Sequence, residues 1–324
     1  MWKFIFVFLV LMIGFRYEVG GDWETYLAML DTYTGISYRE FDYQDPAFVL
    51  FNILSAKTGL GIYLLNVLSA LFFSWGLIVF CRAQPRPWLA MAVAVPYLVT
   101  VVAMGYTRQG VAIGIAMIAM TALGQGRAIH FLLWIVFACT FHKSAIILLP
   151  LAVLASSKRR IFILFWVCAA SILLFVLMVQ EALSFLMGGY IEDAMQSSGA
   201  AIRIAMNAVP AVLFLMFRKR FQLTEEQQSF WSWMSWSALL LVGLLAVSPS
   251  STAVDRIALY WIPLQLFVLS RLPNALGRHN GNNLLWVSAV VGYSAAVHFV
   301  WLVFADTAFA WVPYQFYPWI WLFQ

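Results

Sequence analysis

Charge is scarce in this sequence. Aspartate, glutamate, lysine and arginine make up 10% of the 324 residues, and 64% are hydrophobic. Soluble domains carry about a quarter of their residues as charges, so a soluble globular fold is excluded. The apolar runs are continuous and do not alternate with polar residues, which removes an outer-membrane barrel. Cysteine is limited to Cys81, Cys139 and Cys168, all in or at the edge of apolar runs, with no CxxC and no metal spacing. Packing is their expected role. Walker A, GxGxxG, GxSxG and HExxH are all missing, and with them the chemistry those motifs carry. No Asp-x-Asp occurs, so a metal-bound nucleotide sugar is not indicated and no metal or cofactor is expected. No internal repeat suggests a transporter built from inverted halves.

What is present is a succession of long charge-free stretches, the mark of an all-α polytopic transmembrane bundle. We read one integral membrane domain over residues 1–324. Its spans lie near 2–15, 61–81, 88–105, 107–123, 128–141, 143–156, 161–180, 200–217, 230–247, 255–270 and 284–304. The start, "MWKFIFVFLVLMIG", has Lys3 before an apolar core but no small-x-small cleavage site, so it reads as an uncleaved first helix. With the N-terminus inside and the C-terminus outside, "RAQPRPW", "GQGRA", "SSKRR", "RKRFQLTEEQQ" and "RLPNALGRHNGNN" all fall in the cytoplasm. All five contain lysine or arginine, as the positive-inside rule requires. That rule accounts for the net charge of +5 without nucleic acid.

Seven cations break the rule: Arg16, Arg39, Lys57, Arg108, Lys143, Arg203 and Arg256 lie at or near outer helix ends. Arg39 and Lys57 are read as snorkelling side chains or surface ion pairs. Arg16, Arg108, Arg203 and Arg256 sit at the ends of four different helices. Converging arginines suit phosphate oxygens, which they hold bidentately.

Two outer loops, 16–60 and 181–200, and the tail 305–324 flank the spans. In the first loop "GDWETYLAMLDTY" reads as an amphipathic interfacial helix with Trp23, Tyr26, Leu27 and Leu30 near one face. Asp22 precedes it, either as a helix cap or as a general base or sugar-hydroxyl ligand. "DPAFVLFNILSAKTG" is too short to span and reads as a re-entrant or interfacial half-helix. The loop at 181–200 reads as an acidic lid hinged at Gly188-Gly189. The tail, rich in Trp, Tyr and Pro, is expected along the outer interface, with Tyr314 a candidate to stack on a sugar. His130 and His279 are expected in solvated positions, and His298 in a hydrogen bond inside the bundle.

"CTFHKSAIILLP" places His142 and Lys143 between two apolar arms of about 13 residues each, where a bilayer span takes about 20. Both flanking loops are cytoplasmic on this topology, so the joint faces outward. There His142 is a candidate to accept a proton or to bind an oxygen.

The chain resembles the EpsG family of bacterial exopolysaccharide polymerases, within the Wzy-like group. The resemblance rests on "FRYEVGGDWETY", "DPAFVLFNIL", "YTRQGVAIGIAM", "FHKSAIILLPL", "IRIAMNAVPAVLFLMFRKR", "DRIALYWIP" and "VPYQFYP", which follow one another in family order. The family's glutamate-proline before the half-helix is Asp45-Pro46 here. The resemblance implies an inner-membrane, metal-independent glycosyltransferase with a GT-C-like fold. It would transfer a growing glycan from undecaprenyl diphosphate to the non-reducing end of a lipid-linked repeat unit. Implied partners are that lipid-linked oligosaccharide, membrane lipids, a chain-length regulator and a flippase. On this reading Asp22 and His142 are the catalytic candidates. Arg16, Arg108, Lys143, Arg203, Arg256, Tyr260 (one turn beyond Arg256) and Tyr314 bind diphosphate or sugar. An O-antigen ligase, a polysaccharide or lipid transporter and a membrane acyltransferase are the rival classes.

Overall fold

The computed structural model describes residues 1–34, 45–155, 160–174, 197–278 and 281–323. Arg39, His279, and residues 181–196 of the expected lid lie outside them. Among the described residues the regular structure is helical, with one isolated bridge between Arg16 and Phe316. The α-helices are α1 (Trp2–Gly14), α2 (Trp23–Thr34), α3 (Pro46–Thr58), α4 (Gly61–Arg82), α5 (Pro87–Ala94), α6 (Thr107–Leu123), α7 (Ala128–Cys139), α8 (Leu149–Ala155) and α9 (Arg160–Leu174). They continue with α10 (Ala200–Phe217), α11 (Glu225–Val247), α12 (Ser251–Ala258), α13 (Ile262–Leu276), α14 (Leu284–Phe304) and α15 (Tyr317–Phe323).

Five helical stretches are long and apolar enough to cross a bilayer: Gly61–Arg82, Ala200–Phe221, Glu225–Val247, Ser251–Leu276 and Leu284–Phe304. Six shorter apolar helices accompany them. The protein is thus a helical membrane protein, and each apolar run of the sequence is helical over most of its described residues. Bilayer insertion forces this, because backbone amides and carbonyls have no water to turn to there.

Helix α6 is the centre of the bundle, with almost every residue buried. It packs against α4 at backbone distance. A methyl group on Gly76 would collide with the Gly114 carbonyl, and one on Gly114 with the Phe73 backbone. Helices in lipid gain little from hydrophobic exclusion, so close approach over small residues supplies the packing.

Three departures from regular α-helix shape one end of the bundle. After α5 the chain widens into a π-helix, Val95–Ala103. Pro96 there lacks an amide hydrogen, and the Thr100 hydroxyl bonds back to the Val95 carbonyl five residues earlier. The Pro96 carbonyl meets His298 Nδ1 at 3.3 Å, the bundle hydrogen bond expected of that histidine. Second, α3 is the expected half-helix. It folds back on α4 through Gly59, whose φ of +71° glycine adopts without steric cost. It also packs on α2, which buries Trp23, Tyr26 and Leu30. Third, α7 stops at Cys139, and the chain turns through an extended His142 (φ −158°, ψ 110°) into a 3-10 turn, Lys143–Leu148.

The tail is strapped to the start of the chain. Gly20 N donates to Ala310 O at 2.8 Å, Tyr17 N to Gln315 O at 2.9 Å, and Tyr317 N to Phe15 O at 2.8 Å. Trp311 fills the space left by two glycines, since a side chain on Gly105 would strike its ring and one on Gly21 would touch it.

Candidate functional site

The ends of α2, α3, α6, α12 and the joint after α7 meet at the face crossed by the strap. The sequence singled out one carboxylate here, Asp22, but the pivot is Asp45, noted only as the carboxylate before Pro46 where the family has glutamate-proline. Asp45 occupies the position before α3, without capping it through its side chain, and is 4% exposed. One carboxylate oxygen accepts from Arg108 Nη1 at 3.1 Å and the other from the Lys143 amide at 3.2 Å. Ala47 N donates to the Thr140 carbonyl at 2.9 Å, so the half-helix is sewn to the joint twice. Burial pushes the Asp45 carboxyl up to about 6, against the opposing pull of Arg108.

Asp22 is different. It stands just before α2, where its carbonyl accepts from the Tyr26 amide at 3.0 Å, but its carboxylate makes no hydrogen bond or ion pair among the described residues and so does not act as a side-chain cap. It is part-exposed and lies in the fields of Arg256, Arg108 and Arg16; burial still raises its proton affinity above the usual carboxylate range.

Arg256 stacks its guanidinium over the Tyr106 ring at 4.4 Å and has no ion pair among the described residues. Its backbone is fixed by Gln109 Nε2, which donates to the Arg256 carbonyl at 2.5 Å. The Lys143 ammonium is likewise unpaired among them. Arg108, Arg256 and Lys143 all act on His142, after burial the next causes that hold its ring down to about 3. Its Nδ1 is closed off from solvent and has no hydrogen-bond partner among the described residues. Three cations, one neutral imidazole and one free carboxylate thus share a small region with a positive balance. This arrangement attracts an anion and presents a carboxylate beside it.

Other expected site residues are placed elsewhere by the structure. Arg16 is 1% exposed, and its guanidinium is committed: Nη1 to the Ile13 carbonyl at 2.5 Å, Nε to Val19 O at 3.1 Å and Nη2 to the Thr107 hydroxyl at 2.8 Å. It pins the turn after α1 to the start of α6, beneath the site. Tyr260 is fully buried and receives the Ser144 hydroxyl at 3.1 Å, so it props the joint from inside. Tyr314 donates to the Met12 carbonyl at 2.6 Å and fastens the strap. Arg203 forms a bidentate ion pair with Asp255, at 2.7 and 2.6 Å, and Nη2 also donates to Ser197 Oγ at 2.5 Å. That pair neutralises the charge and ties α10 to α12. Arg203 also borders an apolar cavity of about 310 Å³ between α10 and α14, together with Tyr97, Met206, Tyr293, Val297 and Trp301.

Residues 1–316 match the EpsG family. The chain belongs to the EpsG family. That membership places it among membrane-bound, polysaccharide polymerase-like proteins. No curated protein and no solved structure matches the chain significantly. For this EpsG-family chain the recognised segments "FRYEVGGDWETY", "YTRQGVAIGIAM", "FHKSAIILLPL" and "DRIALYWIP" are those that supply Asp22, Arg108, His142 with Lys143, and Arg256. The missed residues, Asp45 and Tyr106, open two of the quoted segments, "DPAFVLFNIL" and "YTRQGVAIGIAM", which was the available signal.

Proposed function

We propose that the protein is a lipid-linked glycosyltransferase of polymerase type. It moves a growing glycan from undecaprenyl diphosphate to the non-reducing end of a lipid-linked repeat unit, without a metal. The observation that carries this reading is the convergence of Arg108, Arg256 and Lys143 on His142 and Asp22. On this reading all eleven apolar helices cross the bacterial inner membrane within one GT-C-like domain. The N-terminus is cytoplasmic and the site opens outward. The basic loops between helices support that orientation.

The diphosphate is held by Arg256 and Lys143, with Arg108 at its edge. The acceptor hydroxyl oxygen attacks the anomeric carbon. The bond from that carbon to the diphosphate oxygen breaks, and its electron pair leaves on the diphosphate, where the cations stabilise the developing charge. Asp22 takes the hydroxyl proton. Its raised proton affinity suits it to that role better than His142, whose ring at about 3 is a weak base. His142 instead offers a neutral N–H to a phosphate oxygen. The isoprenoid chain rests in the apolar cavity between α10 and α14. A chain-length regulator and a flippase are the protein partners on this reading.

Purified protein supplied with lipid-linked repeat unit should yield a ladder of products, and Arg256→Ala should yield none while remaining inserted and folded. A normal ladder from that variant would remove Arg256 from the clamp, and wild-type protein that makes no ladder would remove the reading.

A further inference from the structure

A second concavity lies beside the cation cluster and differs from it in every chemical respect. It is an open groove of about 720 Å³ between the start of α2, the α3–α4 turn and the first residue of α15, within the range of about 300–1,000 Å³ typical of ligand clefts. Its walls combine aromatic rings with aliphatic side chains, Leu27, Leu60, Ile62, Leu64 and Val67. Tyr63 and Tyr317 stack at 3.9 Å with 25° between their planes, and Tyr17 meets Trp23 edge-on at 6.1 Å. Glu18 and Glu24 stand among these rings, and no lysine, arginine or histidine lines the groove among the described residues.

Glu18 is held in an uncommon backbone conformation, with φ at +51°. A non-glycine residue there is costly and is maintained only when its surroundings enforce it. The enforcement is visible: the strap bonds both flanks, Tyr17 N to Gln315 O and Gly20 N to Ala310 O. The same strap delivers Tyr317 to the groove.

We propose that this groove binds neutral sugar units of the acceptor glycan. The inference rests on the polymerase reading and adds the seat of one substrate to it. Sugar rings present C–H faces, which aromatic rings cover, and hydroxyl donors, which carboxylates accept. A diphosphate is repelled by Glu18 and Glu24, and a prenyl or acyl chain gains nothing from them. The groove leads to the proton acceptor through the chain itself, because Trp23 and Glu24 follow Asp22 directly. The polyol and the anion are thus sorted to the two sides of Asp22.

The test uses full-length protein in detergent and, as probe, oligosaccharides of one to three repeat units freed from their lipid by mild acid from the producing cells. Saturation-transfer NMR should show binding to the wild type and to Arg256→Ala. The double variant Tyr63→Leu/Tyr317→Leu should bind at least tenfold more weakly, and Tyr63→Phe/Tyr317→Phe should bind as the wild type does. Glu18→Asn, which tolerates the left-handed backbone, should lose affinity several-fold. Wild-type protein that ignores the probe at millimolar concentration overturns the proposal, as does a leucine variant that binds normally. Loss of co-purifying phospholipid from the leucine variant with glycan binding intact would make the groove a lipid seat, and the proposal falls. Wild-type protein that makes no product ladder from lipid-linked repeat unit defeats the polymerase reading instead, and leaves the binding result readable.

Discussion

Asp45 and Arg108, 63 residues apart in the chain, meet at 3.1 Å where the half-helix α3 abuts the start of α6. The pair costs stability to bury. The Asp45 carboxyl is raised from 3.8 to about 6, chiefly by burial. The folded protein therefore holds its proton to about pH 6, whereas the unfolded chain releases it near 4. The stabilisation from the protonated form is complete below about pH 4 and is lost as pH rises through about 6, on the order of 3 kcal/mol in all. The unfolding midpoint of the solubilised protein should fall across this window. Asp45→Asn should remove that component of the slope. Parallel profiles for the two proteins would show that Asp45 does not titrate there.

Arg16 and Arg256 are both arginines at helix ends, but they should fail differently. Arg16→Ala orphans the Ile13 and Val19 carbonyls and the Thr107 hydroxyl, each worth about 1–3 kcal/mol when buried without a partner. The variant should unfold at a much lower temperature and accumulate poorly in membranes. Arg256→Ala should keep the wild-type unfolding midpoint and lose turnover. Thermal unfolding measured beside product ladders separates the two; a stable Arg16→Ala would show that its three bonds are dispensable.

Asp22→Asn keeps the size of the side chain and removes its proton acceptor. Turnover should fall by about 10²–10⁴, the usual contribution of a positioned base, with binding of lipid-linked substrate little changed. His142→Gln retains a neutral N–H donor and should keep turnover within about tenfold. His142→Ala should raise KM. If His142→Gln is as slow as Asp22→Asn, the imidazole is moving the proton after all.

Tyr260→Phe should cost only the hydrogen bond from Ser144, about 0.5–1.5 kcal/mol of stability, with kcat and KM unchanged. A large rise in KM would return Tyr260 to the substrate.

The helices were legible in the sequence because bilayer chemistry leaves an apolar run few alternatives to helix. The α3 half-helix and the interruption at His142 were legible from length alone. The side-chain roles were less so. Cations at helix ends looked alike in the sequence, yet Arg16 finds backbone carbonyls three residues to either side, Arg203 finds Asp255, and only Arg256 and Lys143 are left unpaired among the described residues. Those fates depend on which carboxylates and carbonyls the fold brings near, and spacing does not encode that. Tyr260 was read as one turn from Arg256, but the 3-10 turn Leu259–Trp261 rotates it inward. Asp45 was visible only as a carboxylate preserved before a proline; its partners arrive from residues 108 and 143.

The strap has a consequence for the order in which the protein is made. Residues 15–20 leave the ribosome early, and residues 310–317, which hold them, some 300 residues later. Until then the turn at Glu18 has the Arg16–Val19 bond but lacks the two bonds of the strap, and Tyr17 lacks the Tyr317 ring beside it. The half-made chain already carries Asp22, Asp45, Arg108 and His142, but the face they share stays unfinished. Synthesis itself therefore acts as a timer, and a truncated chain would carry the charges of the site without the surface that orders them.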